Sequence, residues 1–328
     1  MDISNELAIG IDIGGTNTKY GFVNHRGEIL QQGELRTDKY PKIEGFIEAL
    51  YNTLQPMITS LEKTNFIQGI GIGAPNGNYY TGTIEYSPNL KWRGIIPLAK
   101  LVSDKFCLAT ALTNDANAAA VGELTYGAAR GMKDFIMITL GTGVGSGIVA
   151  NGELILGHDG FAGELGHTII IPGGRMHEGT NMRGSLEAYA SATGVAKTAK
   201  ELLEKDPDKK TLLKHHKGEL DSKFVYECAM KKDKVAKKVY EYTGKILGRA
   251  LANFVMFSSP EAIVLFGGLT RAGEMIMKPT REHMEKNLLP IFQNKVKLIF
   301  SELKESDAAI LGASALVWEM KNKASADI

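Results

Sequence analysis

The segment TNDANAAA places a carboxylate where a catalytic base could act. Asp115 follows the apolar segment 108–112 and precedes the helical run 118–124, so it lies at a predicted strand-to-helix junction. A carboxylate there can accept the proton of a substrate hydroxyl during phosphoryl transfer. The position also favours an N-cap, which either Asn114 or Asp115 could provide. The two roles are compatible, because one residue can cap the helix while its neighbour faces the substrate.

Three glycine-rich turns, each after a buried strand, indicate phosphate binding. Their sequences are GIDIGGTNTK, TLGTGVGSG and VLFGGLTRAG. Glycine lets the backbone approach a ligand closely, so that successive N–H groups converge on phosphate oxygens. One such turn is more often a tight hairpin, but three at the carboxyl ends of strands match the edge where open α/β sheets bind ligands. None ends in the GK[ST] of a Walker A loop, and GTGVGS lacks the last glycine of a dinucleotide fingerprint.

Polar residues flank the first turn. Asp12 comes just before the glycines, and Thr16, Asn17 and Lys19 come just after them. A carboxylate at this position can hold hydrated Mg²⁺, which keeps several waters and is bridged by phosphates. Thr16 and Asn17 offer hydroxyl and amide donors to the phosphates. The first turn therefore predicts a site for a magnesium-bound nucleotide.

A second set of polar residues could bind a sugar. Glu164 and His167 lie in GELGH, and Glu187 lies in GSLEAYAS. A lone Glu or His is more often a surface residue or a satisfied core residue. Two acids and a histidine among small residues can instead recognise sugar hydroxyls, each of which is both donor and acceptor.

The elements that must position these residues occur in two similar series. The patterns predict three strands, a helix and a fourth strand at 7–13, 18–23, 28–36, 43–58 and 66–72. The second series has a long helix at 235–257 and strands at 134–140, 146–151, 165–171 and 262–266. Two such halves, each opening with a strand that feeds a glycine-rich turn, predict two mixed α/β lobes. A last helix at 307–320 could return to the first lobe.

Length and composition limit the classes of protein. A chain of 328 residues is expected to form two lobes, and 44% hydrophobic with 23% charged residues is ordinary for a globular enzyme. A net charge of +1 predicts neither a nucleic-acid partner nor an anionic membrane. No apolar run could span a membrane, the N-terminus has no signal-peptide pattern, and two distant cysteines suit a reducing compartment. We therefore expect a cytoplasmic protein.

Taken together, the motifs resemble the ROK family of sugar kinases and repressors. They occur in the family's order over nearly the whole chain, as DIGGTNTK, GIGAPN, TNDANAAAVGE, TLGTGVGSGIV, GELGH, RGSLEAYAS, VLFGGL and AAILGAS. The resemblance implies an α/β protein with the actin-like ATPase fold, in which two ribonuclease-H-like lobes flank a central cleft. The small lobe would comprise 1–113 and the returning helix 307–328, and the larger lobe 114–306. A homodimer is also implied.

The resemblance further implies roles for single residues. The first phosphate loop would comprise Asp12, Gly14, Gly15, Thr16, Asn17 and Lys19. The second loop would comprise Gly141, Thr142 and Gly143, and the adenosine-side turn Gly267 and Gly268. Asn114 would bind the substrate, and Asp115 would be the catalytic base. The sugar ring would be held by Glu164, His167, Glu187 and Asn89.

One feature of the family is absent. Its members usually carry C-x-C-G-x-x-G-C-L-E, whose cysteines join the histidine of GELGH in a structural zinc site. In the aligned segment EGTNMRGSLE the cysteine positions hold Glu178, Thr180 and Ser185. Thiolates make such a site tight, and the histidine alone cannot hold zinc, although His177 and Glu178 leave a weaker site open. We expect no zinc, and a loop at 172–183 held by hydrogen bonds and packing.

The sequence thus predicts an ATP-dependent hexose kinase that uses Mg²⁺. Glucose phosphorylated at its 6-hydroxyl is the first expectation, and N-acetylglucosamine or N-acetylmannosamine is the alternative. Asp115 would take the proton while the glycine turns and the metal stabilise the transferred group, and closure of the lobes would exclude water.

Two other classes of function remain open, a sugar-sensing regulator and an ATPase that drives a partner. Six residues precede the first predicted strand, so no helix-turn-helix domain is expected. ATPase activity that no hexose affects would favour the partner-driving class.

Overall fold

The computed structural model describes residues 5–326, in which two compact units are present. The first unit comprises the residues up to Met132, the segment Glu153–Gly163 and the residues from Glu302 onward. The second unit comprises Lys133–Gly152 and Glu164–Ser301. Within residues 5–326, no helix has both the length and the apolar character needed to cross a membrane.

The helices and strands alternate along the chain. As far as residue 126 they are β1 (Glu6–Ile13), β2 (Asn17–Asn24), β3 (Ile29–Arg36), α1 (Ile43–Leu61), β4 (Phe66–Gly73), β5 (Gly77–Asn78), β6 (Thr83–Glu85), β7 (Ile95–Ile96), α2 (Leu98–Phe106), β8 (Thr110–Thr113) and α3 (Asp115–Tyr126). Beyond it they are β9 (Phe135–Leu140), β10 (Val144–Ala150), β11 (Glu153–Leu154), α4 (Glu187–Ala190), α5 (Ala192–Lys205), α6 (Ser222–Met230), α7 (Lys234–Ser258), β12 (Ala262–Phe266), α8 (Glu274–Lys286), β13 (Lys297–Phe300) and α9 (Ala308–Ala326). Short 3₁₀ helices lie at Thr37–Lys39, Leu165–His167, Leu212–His215 and Gly268–Ala272.

A five-stranded sheet in the order β3-β2-β1-β4-β8 forms the centre of the first unit. β2 runs antiparallel to its neighbours, whereas β4 and β8 run parallel to β1. β1 and most of β4 are buried, which explains why both read as continuous apolar runs in the sequence. Helix α1 contributes Phe46, Leu50 and Leu54 to the same core as Phe22 of β2.

The second unit repeats this arrangement. Its strands lie in the order β10-β9-β12-β13, with β10 antiparallel to β9 and with β12 and β13 parallel to it. An antiparallel hairpin continued by parallel strands therefore occurs in both units. The duplicated α/β order predicted from the sequence is confirmed. The long helix α7 packs along α8.

The strand predicted at 165–171 is wrong. Leu165–His167 is a 3₁₀ turn, and the chain beyond it makes only an isolated bridge at Ile169. The N–H of His167 donates to the Glu164 carbonyl, so this backbone is used locally and cannot form a ladder with a neighbouring strand.

The division between the units lies elsewhere than the predicted boundary at residue 113. Helix α3 belongs to the first unit because it packs along α9, which in turn covers β1 and β4. The C-terminal helix thus joins the last segment of the chain to the first strand.

Glycines bring α9 unusually close to the sheet. A Cβ atom added at Gly71 of β4 would overlap the carbonyl oxygen of Ala313, and one at Gly10 of β1 would overlap that of Ile310. Backbone of the helix and backbone of the strands are therefore almost in direct contact, and no side chain fits between them.

We predict that Gly71→Ala destabilises the protein by about 3 kcal/mol, because the added methyl group forces the helix backbone away from the sheet. Gly45→Ala is the matched control. Gly45 lies near the start of α1, and an added Cβ has no neighbour closer than 3.8 Å, so alanine should be neutral or stabilise by at most about 1 kcal/mol. Urea unfolding measures both, and equal midpoints would contradict the close approach of α9.

Candidate active site

The register of the first sheet brings Asp12 and Asp115 together. Asp12 pairs with Gly73 between β1 and β4, and Gly73 pairs with Thr113 between β4 and β8. Asp115 follows Thr113 by two residues. A Cβ added at Gly73 would lie 3.8 Å from both an Asp12 carboxyl oxygen and the Asp115 Cα atom. Glycine at this position therefore leaves the space between the two acids open.

Both carboxyl groups resist ionisation. Burial and the nearby Asp115 raise the pKa of Asp12 from its usual 3.8 to about 6, although Lys19, opposite it on β2, opposes the shift. Burial also raises the pKa of Asp115, although the Ala116 N–H donates to its Oδ1 at 2.9 Å and opposes that shift. The Asp115 side chain is still reached by solvent. A carboxylate that is accessible and has a raised pKa is suited to accept a proton from a substrate.

The start of α3 separates the two roles that the sequence left open at this junction. Asn114 is the N-cap, and its Oδ1 accepts a hydrogen bond from the Asn117 N–H at 2.6 Å. Asp115 is the first residue of the helix and does not cap it. Capping uses only the amide oxygen of Asn114, so its NH₂ group can still donate to a ligand.

The first glycine turn lies beside Asn89. The Gly14 N–H donates to the Asn17 carbonyl at 2.9 Å and closes the turn. A Cβ at Gly15 would overlap the backbone oxygen of Asn89, so the close approach of the two segments requires glycine. Thr16 at the tip of the turn is exposed. The structure thus brings Asn89, which the sequence placed on the sugar side, to the predicted phosphate turn.

In the second unit, Glu187 lies against the second glycine turn. Its Oε2 accepts a hydrogen bond from the Val144 N–H at 2.7 Å, and its Oε1 lies 2.9 Å from Nε2 of His177. A Cβ at Gly143 would overlap Oε2, so a larger residue at this position would displace the Glu187 carboxylate. The sequence assigned Glu187 to the sugar and Gly143 to a phosphate, and it missed that the two residues touch. Thr142, at the tip of this turn, is exposed.

The third glycine turn lies beside the second at one edge of the second sheet. Phe266 at the end of β12 pairs with Thr139 near the end of β9. Gly267 has φ of 102°, and an added Cβ would lie 2.7 Å from the Leu140 carbonyl oxygen, so only glycine suits this position. Gly268 and Gly141 follow the two neighbouring strands, as the predicted nucleotide turns require.

His167 is the last residue of the 3₁₀ turn, and Glu164 directly precedes the turn. The His167 Nε2 atom lies 3.8 Å from a carboxyl oxygen of Glu164, and Leu165 and the buried Gly166 lie between the two residues in sequence. The rings of His167 and His177 lie 6.4 Å apart, centroid to centroid. His167, His177 and Glu187 therefore form one cluster of polar side chains in the second unit.

The side chains in this cluster do not fit the structural zinc that the family motif usually binds. The Glu178 carboxylate pairs with Lys197 at 2.7 Å, and the Thr180 hydroxyl lies 3.0 Å from Nδ1 of His177. Ser185 is fully buried. Over residues 5–326, no three His, Cys, Asp or Glu side chains are grouped so that they could hold a metal. Carboxylate and hydroxyl groups that are already paired or lie apart cannot replace a tetrahedral thiolate set.

A magnesium ion makes a smaller demand on the protein. It keeps most of its waters and needs one or two carboxylates, together with phosphate oxygens of the substrate. Asp12, at the end of β1, provides one such carboxyl group at the sheet edge. A divalent cation would favour ionisation of Asp12, because it offsets the burial and the repulsion by Asp115 that raise the pKa of this group.

Known proteins are similar to this chain in sequence and in fold. The profile of the ROK family matches residues 8–320. A glucokinase of Halalkalibacterium halodurans is 35% identical over 98% of this chain and 97% of its own length, and one of Thermotoga maritima is 32% identical over 95% and 97%. The crystal structure of a ROK family glucokinase from Streptomyces griseus, in complex with glucose and AMPPNP, matches with a TM-score of 0.77 at 31% identity, over 95% of this chain and 99% of that one. The actin-like ATPase fold expected from the motifs is confirmed.

We predict that Asp12→Asn stabilises the ligand-free protein at alkaline pH. An acid with a higher pKa in the folded state binds more protons when folded, so it costs stability as the pH rises from about 4 through about 6. The variant should gain about 1–3 kcal/mol over the parent at about pH 8, and the gain should shrink toward about pH 4. Urea unfolding at both pH values in a chelating buffer measures it. Asp104→Asn, which alters an exposed carboxylate paired with Lys100, should give no such gain; a pH-independent effect at Asp12 would contradict the prediction.

Proposed function

Because this chain belongs to the ROK family, we propose that it transfers the γ-phosphoryl group of ATP to a hexose, with the 6-hydroxyl of glucose as the first acceptor. The glucokinases to which it is 32–35% identical match almost its whole length, which supports this proposal. The structural observation that carries it is the pair of Asp12 and Asp115 at one sheet edge, beside a glycine turn.

In the proposed reaction, Asp115 accepts the proton of the attacking hydroxyl. Its raised pKa makes it a better proton acceptor than an ordinary carboxylate, and its place at the start of α3 fixes its direction. The amide group of Asn114 donates to the sugar. Asp12 would hold Mg²⁺ through water, and the ion would supply positive charge to the phosphate oxygens. Gly14, Gly15, Thr16, Asn17 and Lys19 would orient the phosphates.

The proposal also assigns roles to residues of the second unit. Glu164 and Glu187 would accept hydrogen bonds from ring hydroxyls, and His167 would exchange hydrogen bonds with them; the sugar-binding role predicted for Asn89 is part of the same proposal. The turn of Gly141, Thr142 and Gly143 would bind phosphate, and Gly267 and Gly268 would approach the adenosine. Glycine is required at 267 by a backbone contact, and a side chain at 143 would displace the Glu187 carboxylate, which supports close approach at these turns.

We further propose that the protein acts in the cytoplasm as a homodimer, without nucleic acid or membrane. The near-neutral net charge of +1 supports the lack of a polyanionic partner. The dimer rests on the resemblance of the motifs to the family, and light scattering of the purified protein tests it.

A panel of hexoses tests the substrate. ADP release with Mg-ATP should be fastest with glucose, and slower with mannose, fructose, N-acetylglucosamine and N-acetylmannosamine. Faster ADP release with an N-acetyl sugar would show that the acceptor is an N-acetylhexosamine and not glucose. ADP release that no sugar stimulates would contradict a kinase and favour an ATPase.

We predict that Asp115→Asn lowers kcat by about 100- to 10,000-fold, because asparagine cannot accept the proton. Asparagine retains the shape of the side chain, so the fold and glucose binding, measured by calorimetry, should persist. Asp104→Asn on the surface of α2 is the matched control and should keep full turnover. Near-normal turnover of Asp115→Asn would show that another group is the base.

A further inference from the structure

Residues 174–184 form a hairpin, here called the 174–184 hairpin, that presents His177 to Glu187. The Gly184 N–H donates to the Arg175 carbonyl at 2.8 Å, and the His177 N–H donates to the Met182 carbonyl at 2.8 Å. His177 reaches out of this hairpin, and its Nε2 lies 2.9 Å from Oε1 of Glu187. One oxygen of the Glu187 carboxylate therefore depends on a side chain that the hairpin must hold in place.

Arg175 anchors this hairpin to the helices beside it. Its Nε and Nη2 donate to the two carboxylate oxygens of Glu201 on α5, at 2.8 Å each. Its Nη1 donates to the carbonyl of Ala188 at 2.6 Å and to that of Gly194 at 3.1 Å. Its Nη2 also donates to the hydroxyl of Thr198 at 3.0 Å. Every N–H group of the guanidinium thus has an acceptor.

A planar guanidinium is needed for this arrangement. The side chain of Arg175 is only 8% exposed, and its cation lies 4.6 Å above the ring of Tyr189. A buried charge is tolerated only when its hydrogen bonds are complete, which the fork of Glu201 and the two carbonyls achieves. Lysine has three donors and no fork, so it cannot satisfy the same acceptors.

The contacts of Arg175 lead to Glu187 from two directions. Ala188 and Tyr189 directly follow Glu187 in α4, and the Tyr189 hydroxyl accepts a hydrogen bond from the backbone N–H of Arg175 at 2.6 Å. On the other side, the hairpin that begins at Arg175 carries His177. Arg175 therefore joins the backbone that bears Glu187 to the side chain that orients its carboxylate.

We propose that Arg175 is a positioning residue for Glu187 and that its network with Glu201 braces the 174–184 hairpin without a metal ion. The hairpin holds His177 against Oε1 of Glu187, and this fixes the carboxylate for the sugar. The kinetic consequence rests on the proposed function, whereas the bracing of the hairpin does not.

Arg175→Met removes all five donors but keeps an apolar side chain of similar length. It should raise KM for glucose by about tenfold or more, because a small displacement of a binding group lowers productive binding steeply. KM for ATP should stay within about twofold, since Oε2 of Glu187 keeps its hydrogen bond from Val144. Glu201→Gln, which keeps one acceptor, should give a smaller rise, and Arg175→Lys should not restore the parent value. An unchanged KM for glucose in folded Arg175→Met would overturn the proposal.

Lys197→Met is the matched control. It removes the ion pair between Lys197 and Glu178, which also joins the hairpin to α5 but has its carboxylate side chain 79% exposed. Exposed pairs contribute little, so this variant should keep the parent KM. An equal rise in KM for both variants would show that any contact of the hairpin with α5 suffices, and would overturn the specific role of Arg175.

Pairing the substitution with His177→Ala tests the route to Glu187. If Arg175 acts through His177, the double variant should have the same KM for glucose as His177→Ala alone. Effects on KM that multiply would show that Arg175 acts through Ala188 and Tyr189 and not through the hairpin that holds His177, against the proposal.

Hydrogen exchange separates the failure of this inference from failure of the kinase assignment. In Arg175→Met, the amides of His177 and Gly184 should exchange faster than in the parent, and the Val144 amide should not. The parent treated with EDTA should show unchanged exchange in the hairpin. Faster exchange with EDTA would indicate a metal brace and overturn the proposal. If the parent phosphorylates no hexose but Arg175→Met loosens the hairpin, the proposed function fails and the brace stands.

Discussion

Two carboxyl groups that repel each other lie at one edge of the first sheet, and the arrangement around them depends on this constraint. Asp12 and Asp115 lie close together because of the register of three parallel strands. Backbone hydrogen bonds fix this register, and neither side chain can change it. Gly73 between them leaves room for a ligand atom, and Lys19 offsets only part of the charge. The protein therefore keeps an unfavourable pair whose cost a cation and a transferred proton can relieve, as expected of a catalytic site.

In the second unit, hydrogen bonds from neighbouring residues orient the carboxylate of Glu187. In the proposed sugar site Glu187 must keep one orientation, and a carboxylate that rotates freely does not do so by itself. The Val144 N–H holds one oxygen and His177 holds the other, while Arg175 supports the segment that carries His177. A metal and a guanidinium can both cross-link a loop, but the guanidinium needs a planar set of acceptors in place of thiolates. Ser185, at one of the cysteine positions of the family motif, is fully buried, and its hydroxyl oxygen makes no hydrogen bond in this network.

The sequence predicted the features that depend on backbone periodicity and on motifs. The strands ending at Ile13 and Leu140, and the duplicated order of strands, followed from apolar patterns, since parallel strands are buried on both faces. The strand predicted at 165–171 failed because a short apolar run does not show whether its N–H groups bond locally. Arg175 gave no signal, since its acceptors lie 13 to 26 residues away in sequence and three of the five are carbonyl or hydroxyl oxygens. Only folding brings them together.

Glycine positions show why short motifs can be predicted from the sequence more easily than hydrogen-bond networks. At positions 15 and 267 a missing Cβ lets another backbone segment approach, and no other residue leaves that space. Such a requirement is local and is visible as a letter in the sequence. The orientation of Glu187 instead depends on Val144, His177 and Arg175 together, and no single letter in the sequence shows that these residues meet. Features that depend on a glycine at one position can thus be predicted from the sequence. Features that depend on hydrogen bonds among distant residues need the structure.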